Sequence, residues 1–150
     1  MEYFFFWNGT FSNWIESFFT IDGIKYSCGE QYMMYQKAIT FNDFDTAKKI
    51  LATKHPRDQK ELGRSVQNFN PIVWNEVRYD LVKKGLKEKF NQNPDMKAEL
   101  LSHKGKTFVE ASPYDRIWGI GYAEENALEN IFDWGDNLLG KIITELSNEL

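Results

Sequence analysis

The alternation of apolar and polar positions predicts a small β-structure near the N-terminus followed by a series of helices. Residues 18–27 are predicted to form two short strands around Asp22-Gly23, a dipeptide that supplies the positive φ angles of a tight type I′ hairpin turn. Apolar residues at helical spacing predict six helices, and a further strand is predicted at 107–111. The predicted helices span residues 30–39, 44–51, 56–63, 71–90, 94–101 and 137–149. Early strands followed by helices favour an α+β fold over alternating βαβ units.

The length of 150 residues suits one compact, helix-rich domain over residues 1–150, with a small N-terminal hairpin or sheet. No apolar run approaches the length of a membrane span, so no contact with a membrane is expected. Cys28 is the only cysteine, which excludes an internal disulfide and a Cys-based zinc site. A cytoplasmic location fits this cysteine usage, and Cys28 itself is interpreted as a small buried residue.

Several common catalytic motifs do not occur in the sequence. There is no GxGxxG after a strand and no GxxxxGK[ST], so the sequence has neither a Rossmann nor a P-loop motif. The GxSxG motif of serine hydrolases is also missing. His55 and His103 lie far apart without an HExxH pattern, and each is interpreted as a surface histidine. No metal site and no cofactor are therefore expected.

Aromatic residues and charges are unevenly distributed. Half of the 24 aromatic residues lie in the first 35 positions, where they can fill a core or stack on a planar ligand. The net charge is −4, yet residues 25–116 carry 17 Lys and Arg against 12 Asp and Glu. A positive middle in an acidic chain allows a local anion site, such as one for phosphate, and argues against broad binding of DNA.

One helix face combines a carboxylate, an amine and soft apolar side chains. Glu30, Met33, Met34 and Lys37 follow the spacing i, i+3, i+4, i+7, which places them on one face of the first helix. The face is either a partly exposed ion pair beside core methionines or a desolvated acid–base group with a nearby cation.

Two later segments combine polar groups with glycine backbone. In the first, residues 110–121, Glu110 and Asp115 are followed by Trp118-Gly119, where a bare backbone can approach a ligand closely. In the second, residues 134–140, Asn137 can either cap the last helix or bind a base or sugar.

An ordered set of motifs resembles the NADAR family, also called the YbiA-like family. The resemblance covers nearly the whole chain. Its motifs are Phe11-Ser12-Asn13-Trp14, Ile21-Asp22-Gly23, Tyr26, residues 30–38 (EQYMMYQKA), Leu62-Gly63-Arg64, Trp74, Lys89-Phe90, residues 109–113 (VEASP), residues 115–121 (DRIWGIG) and residues 137–140 (NLLG).

The resemblance implies an N-glycosidase, a hydrolase that cleaves the bond between a ribose carbon and a nitrogen. One branch of the family acts on phosphorylated ribosylamino-pyrimidine intermediates of riboflavin synthesis, and another removes ADP-ribose from guanine. The expected partner is thus a small nucleotide or an ADP-ribosylated nucleobase, free or in nucleic acid, and the oligomeric state stays open. The alternative is a module that binds ADP-ribose or NAD without turnover.

The resemblance also implies roles for particular residues. Cleavage builds positive charge on the ribose, and Glu30 is the first choice for the carboxylate that stabilises this charge or activates water. Asp115 is the second carboxylate, for ribose hydroxyls or for acid–base work. Lys37 can pair with Glu30, hold a phosphate, or attack the anomeric carbon to give a Schiff base, which requires a lowered pKa.

Further residues are expected to bind the substrate. Trp118, with Tyr26 or Trp14, is expected to stack the base, while Arg64 and Lys89 hold phosphate. The full predicted set for substrate binding is Asn13, Trp14, Tyr26, Arg64, Lys89, Glu110, Trp118, Gly119 and Asn137. Asp136 stands where many relatives have Lys, a difference that bears on substrate choice.

Overall fold

Within the part of the chain that the structure describes, the first strand begins at Tyr3, and the later elements follow the predicted order closely. The computed structural model describes residues 2–150. Its elements are β1 (Tyr3–Phe6), β2 (Phe19–Ile21), β3 (Ile24–Tyr26), α1 (Gly29–Thr40), α2 (Phe44–Ala52), α3 (Pro56–Arg64), α4 (Pro71–Gln92), α5 (Pro94–Ser102), β4 (Thr107–Glu110), α6 (Glu124–Ala127), a 3₁₀ helix (Leu128–Asp133) and α7 (Leu138–Glu149). The predicted α+β, helix-rich fold class is confirmed. Within residues 2–150, no helix combines the length and the apolar character needed to cross a bilayer.

Contacts divide the chain into two units, Asn13–Pro94 and a second one that joins the residues up to Ser12 to Asp95–Leu150. We call them the hairpin unit and the parallel-strand unit. The hairpin unit contains β2 and β3, which pair antiparallel around the predicted turn. Asp22 and Gly23 both have positive φ, as a type I′ turn requires.

Helix α1 lies at the centre of the hairpin unit and packs against α2, α3 and α4. Glycines make two of these packings close. A Cβ atom at Gly63 would lie 2.0 Å from Sδ of Met34, and one at Gly85 would lie 2.3 Å from the ring of Tyr32. Both α3 and α4 therefore approach α1 at positions where no side chain fits.

The parallel-strand unit is built on β1 and β4, which pair in parallel from Tyr3 opposite Thr107 to Phe6 opposite Glu110. Helix α7 packs on β4, and the hydroxyl of Thr144 accepts a hydrogen bond from the Phe108 amide at 2.9 Å. A buried core of Val109, Ile120 and Ala127 completes this unit.

Strand β1 is absent from the sequence prediction. Both of its faces carry rings, because Phe4 packs on Phe11 and Phe108 while Tyr3 and Phe5 pack on Trp134. A strand whose two faces are both covered by rings shows no alternation of apolar and polar residues. Its partner β4 lies about a hundred positions away along the chain, so no local turn signal marks the pairing.

Candidate functional site

Glu30 is a buried carboxylate in the first turn of α1. Its side chain is 4% exposed, and Oε1 accepts a hydrogen bond from the indole N–H of Trp14 at 3.1 Å. The amide N–H of Glu30 donates to the backbone oxygen of Asn13 at 2.9 Å. Residues 13–14 therefore hold Glu30 through both its backbone and its side chain.

Trp14 is the partly exposed partner of this buried carboxylate. Its ring is 44% exposed and forms a T-shaped pair with the ring of His55, with centroids 6.4 Å apart. A surface cleft of about 100 Å³ lies beside it, lined by Trp14, Glu16, Ser27, Cys28, Lys54 and Pro56. An indole that is exposed on one side and bound to a carboxylate on the other can stack a planar ligand next to that carboxylate.

Asn13 is packed against the start of α1. Its side chain is 8% exposed, and its Oδ1 has no hydrogen-bond partner among the described residues. A Cβ atom at Gly29 would lie 2.6 Å from this oxygen, so glycine is needed where the two segments meet. The structure places Asn13 beside the start of α1, and its predicted contact with substrate stays a prediction.

Lys37 lies two turns along α1 from Glu30 and is half-buried. Burial lowers the pKa of its amine, Glu30 acts in the opposite direction, and Arg64 lowers that pKa further. The Nζ atom lies 4.5 Å from the centroid of the Phe69 ring, an aromatic residue that the sequence interpretation did not single out. Arg64 is exposed and pairs with Glu61 at 2.9 Å.

Two residues proposed for substrate contact lie instead in the core of this unit. Lys89 is 1% exposed, and burial lowers its pKa to about 7, against a smaller opposing effect of Cys28. Tyr26 is also 1% exposed and packs with Phe19 and Tyr32. Neither the predicted phosphate contact of Lys89 nor the predicted base stacking of Tyr26 fits these positions, because a fully enclosed side chain presents no surface to a ligand.

Asp115 fixes a turn in the parallel-strand unit. Its Oδ1 accepts hydrogen bonds from the amides of Ile117 and Trp118, both at 2.9 Å. Such bonds from an Asp side chain to the backbone two and three residues ahead form an Asx-type turn. Asp115 is half-buried.

The two glycine segments of this unit bind each other. Amides of residues 135–139 donate to carbonyl oxygens of residues 116–120, at distances of 2.8 to 3.1 Å. A Cβ atom at Gly135 would lie 2.2 Å from the Arg116 oxygen, and one at Gly119 would lie 2.8 Å from the Glu110 oxygen. The glycine backbone that the sequence suggested for ligand binding is therefore packed against other backbone segments of the same unit.

Asn137 is the N-cap residue of α7, as its structural interpretation predicted, yet its side chain makes no capping bond. Its Oδ1 accepts from the Glu110 amide at 2.9 Å, and its Nδ2 donates to the Phe108 oxygen at 3.0 Å. The amide group thereby ties α7 to β4. A contact with substrate by Glu110, Trp118, Gly119 or Asn137 stays a prediction.

The sequence of the chain matches the profile of the NADAR domain over residues 4–150. N-glycosidase R617 of Acanthamoeba polyphaga mimivirus is 44% identical over 128 residues, which cover 83% of this chain and 75% of that protein. The chloroplastic riboflavin biosynthesis protein PYRR of Arabidopsis thaliana is 34% identical over 110 residues, covering 71% of this chain and 17% of PYRR.

A solved structure shares the fold. The NMR structure of the Escherichia coli protein YbiA matches with a TM-score of 0.81 and 25% identity, over 99% of this chain and 84% of that one. In sequence, N-glycosidase YbiA of E. coli K12 is 28% identical over 142 residues, covering 95% of this chain and 81% of YbiA. The names of these relatives support the predicted enzyme class, a hydrolase of N-glycosyl bonds. The profile match and the identity to R617 together show that the chain belongs to the NADAR family.

Proposed function

We propose that this N-glycosidase hydrolyses a ribose–nitrogen bond in a nucleotide-like substrate, with Glu30 as its catalytic carboxylate. The observation that carries the proposal is the hydrogen bond of 3.1 Å from the half-exposed Trp14 to the buried Glu30. A carboxylate in a water-poor setting interacts strongly with positive charge that develops on a ribose ring. The indole beside it offers a surface on which a leaving base can stack.

Lys37 supports this chemistry in one of three ways. Its lowered pKa leaves more of the amine unprotonated, which favours attack on the anomeric carbon with departure of the base. Opening of the ribose ring then gives a Schiff base, which water hydrolyses to release the sugar and restore the amine. Protonated, it can instead hold a phosphate together with Arg64, or balance the charge of Glu30. Its position on the same helix as Glu30 is compatible with all three roles.

The two substrates that fit this account are ADP-ribosylated guanine and a ribosylamino-pyrimidine phosphate. Both join a ribose carbon to the nitrogen of a planar base, and both carry phosphate. The name of the plant relative supports the second, because it places that protein in riboflavin biosynthesis. The cations Lys37 and Arg64 suit the phosphate of either substrate.

Asp115 stays in the proposal as the second carboxylate. Two backbone amides hold its Oδ1 and fix the carboxylate, which supports a role of Oδ2 towards a ribose hydroxyl or in proton transfer. We further propose that residues 1–150 act as one domain, which the NADAR match over residues 4–150 supports.

The test is incubation with ADP-ribosyl-guanosine and with the ribosylamino-pyrimidine phosphate, followed by chromatography of the released base. The wild type is expected to release base from at least one of them, and Glu30→Gln to lower the rate by about 100-fold or more. Glu99→Gln, at an exposed position of α5, serves as the matched control and is expected to retain the wild-type rate. Binding of ADP-ribose or NAD without release from any substrate would favour a non-catalytic module instead.

A further inference from the structure

Two buried glutamines join the start of α1 to the loop between α2 and α3. The side chain of Gln31 accepts a hydrogen bond from the Ser27 amide at 2.7 Å. Its Nε2 lies within hydrogen-bond distance of three backbone oxygens at the end of α2, those of Ile50, Leu51 and Thr53, at 3.0 to 3.3 Å. One amide group thus connects the residues before α1 to the residues after α2.

Gln59 of α3 makes the second connection and is fully buried. Its Nε2 donates to the Thr53 oxygen at 2.8 Å, and its Oε1 accepts from the thiol of Cys28 at 3.3 Å. Cys28 is the N-cap residue of α1, two positions before Glu30. We refer to Gln31 and Gln59 together as the amide clamp.

The loop held by the amide clamp lies against Trp14. His55 contacts the Trp14 ring edge-on, and Lys54 and Pro56 line the same cleft as Trp14. Ser27 and Cys28, on the other side of the clamp, line this cleft as well. The clamp therefore bonds both to the loop that packs on the indole and to the N-cap of the helix that carries the carboxylate.

We propose that Gln59 is a positioning residue of the active site, which holds the loop of residues 53–55 against Trp14 and thereby maintains the Trp14–Glu30 hydrogen bond. The inference rests on the proposed function, in which Glu30 is the catalytic carboxylate. Polar side chains inside a protein are costly unless their hydrogen bonds are satisfied. The hydrogen bonds of the amide clamp connect segments of the backbone that do not belong to the same helix or strand.

The first measurement does not depend on activity. Spectra of ¹⁵N-labelled protein report each indole N–H, and the Trp14 resonance is assigned as the one missing from Trp14→Phe. In Gln59→Met, we expect this resonance to move towards the position of an indole without a hydrogen bond. Gln67→Met, at an exposed position of the same unit, serves as the control and is expected to leave it unchanged. A wild-type indole resonance in folded Gln59→Met would overturn the inference.

The second measurement is the pH dependence of kcat. An N–H donor favours the charged form of a carboxylate, so weakening the hydrogen bond moves the acidic limb of the profile to higher pH. We expect this shift in Gln59→Met, with kcat about tenfold lower, and no further change when the same substitution is made in Trp14→Phe. An equal effect of Gln59→Met in both backgrounds would overturn the inference, since Gln59 would then act independently of Trp14.

If Gln59→Met fails to fold, His55→Asn tests the same relationship from the exposed side of the loop. Asn keeps an N-cap side chain for α3 and removes the ring that packs on Trp14. Because loss of the His55 ring by itself shifts the Trp14 resonance, the readout in His55→Asn is the hydrogen exchange rate of the Trp14 indole N–H. Faster exchange than in the wild type supports the inference, and an unchanged rate overturns it. The resonance stays informative even if Glu30→Gln proves fully active, a result that would refute the proposed function separately.

Discussion

The indole N–H of Trp14 donates a hydrogen bond to Oε1 of Glu30, and the two residues lie sixteen positions apart in the sequence. One partner is nearly half exposed and the other is buried. The pair thus connects a surface on which a base can stack to a carboxylate shielded from water. The motif residues Asn13 and Trp14 thus have a structural role, since both form hydrogen bonds with Glu30.

Replacing Trp14 by Phe removes the indole donor and keeps an aromatic ring. Hydrogen bonds to a charged group contribute about 1.5–3 kcal/mol, so we expect kcat to fall by about tenfold or more. The acidic limb of the pH profile is expected to move to higher pH, because the charged carboxylate loses a donor. Trp7→Phe, at a residue with the same 44% exposure, is the control. Equal activity and an unchanged pH profile in both variants would contradict a role for this hydrogen bond.

The roles of Lys37 can be separated by two substitutions and a trapping reaction. Lys37→Arg keeps the positive charge and removes the nucleophilic amine, whereas Lys37→Met removes both. If the amine attacks the ribose, borohydride should reduce the Schiff base, and mass spectrometry should find the adduct on Lys37. Both variants are then expected to lose activity. High activity in Lys37→Arg, with no adduct in the wild type, would instead indicate a phosphate contact or a charge balance.

Lys89 makes the stability of the protein depend on pH. Its pKa of about 7 in the folded state lies below the ordinary value of 10.5, so between these values only the unfolded chain takes up the proton. Stability from this group is therefore fully present above pH 10.5 and is lost as the pH falls towards 7. We expect Lys89→Met to be more stable than the wild type at pH 7, with the difference shrinking by up to about 1.4 kcal/mol per pH unit as the pH rises.

Denaturant unfolding of both proteins at pH 7, 8 and 9 measures this difference. The comparison between two proteins that share every other titrating group isolates the contribution of Lys89. A difference that stays constant or grows with pH would contradict a neutral buried lysine.

Asn137 provides two hydrogen bonds to β4 from a left-handed backbone conformation, with φ of 53°. Asn137→Gly tolerates this conformation and loses both bonds, which we expect to lower the free energy of unfolding by about 2–4 kcal/mol. Asn137→Ala should cost about 1 kcal/mol more, because an alanine resists positive φ. Denaturant titration measures both values. Wild-type stability in Asn137→Gly would show that the amide contributes nothing to holding β4.

The sequence predicted the elements whose signals are local. The hairpin at Asp22-Gly23 and the helices opened by Pro56, Pro71 and Pro94 follow from turn chemistry, capping and periodicity, and all are confirmed. Strand β1 was missed because rings cover both of its faces. Helix α6 was missed as well, since four residues are too few to show a helical period.

The candidate site was predictable only as far as it follows helix geometry. The spacing of Glu30 and Lys37 places both on α1, and their burial differs in a way that spacing does not reveal. Lys89 and Tyr26 carry chemistry that suits a ligand, but tertiary packing encloses them completely. Gln59 gave no signal at all, because a polar residue of a short helix is expected at the surface unless its partners are known.

The most direct test of the central claim is the single-turnover rate of base release by Glu30→Gln, measured beside its affinity for the same substrate. A substitution that removes the negative charge but keeps the shape should leave binding within a few-fold of the wild type and slow release by about 100-fold or more. That result would identify Glu30 as the group that stabilises the transition state. Release at the wild-type rate by a folded Glu30→Gln protein would contradict the account.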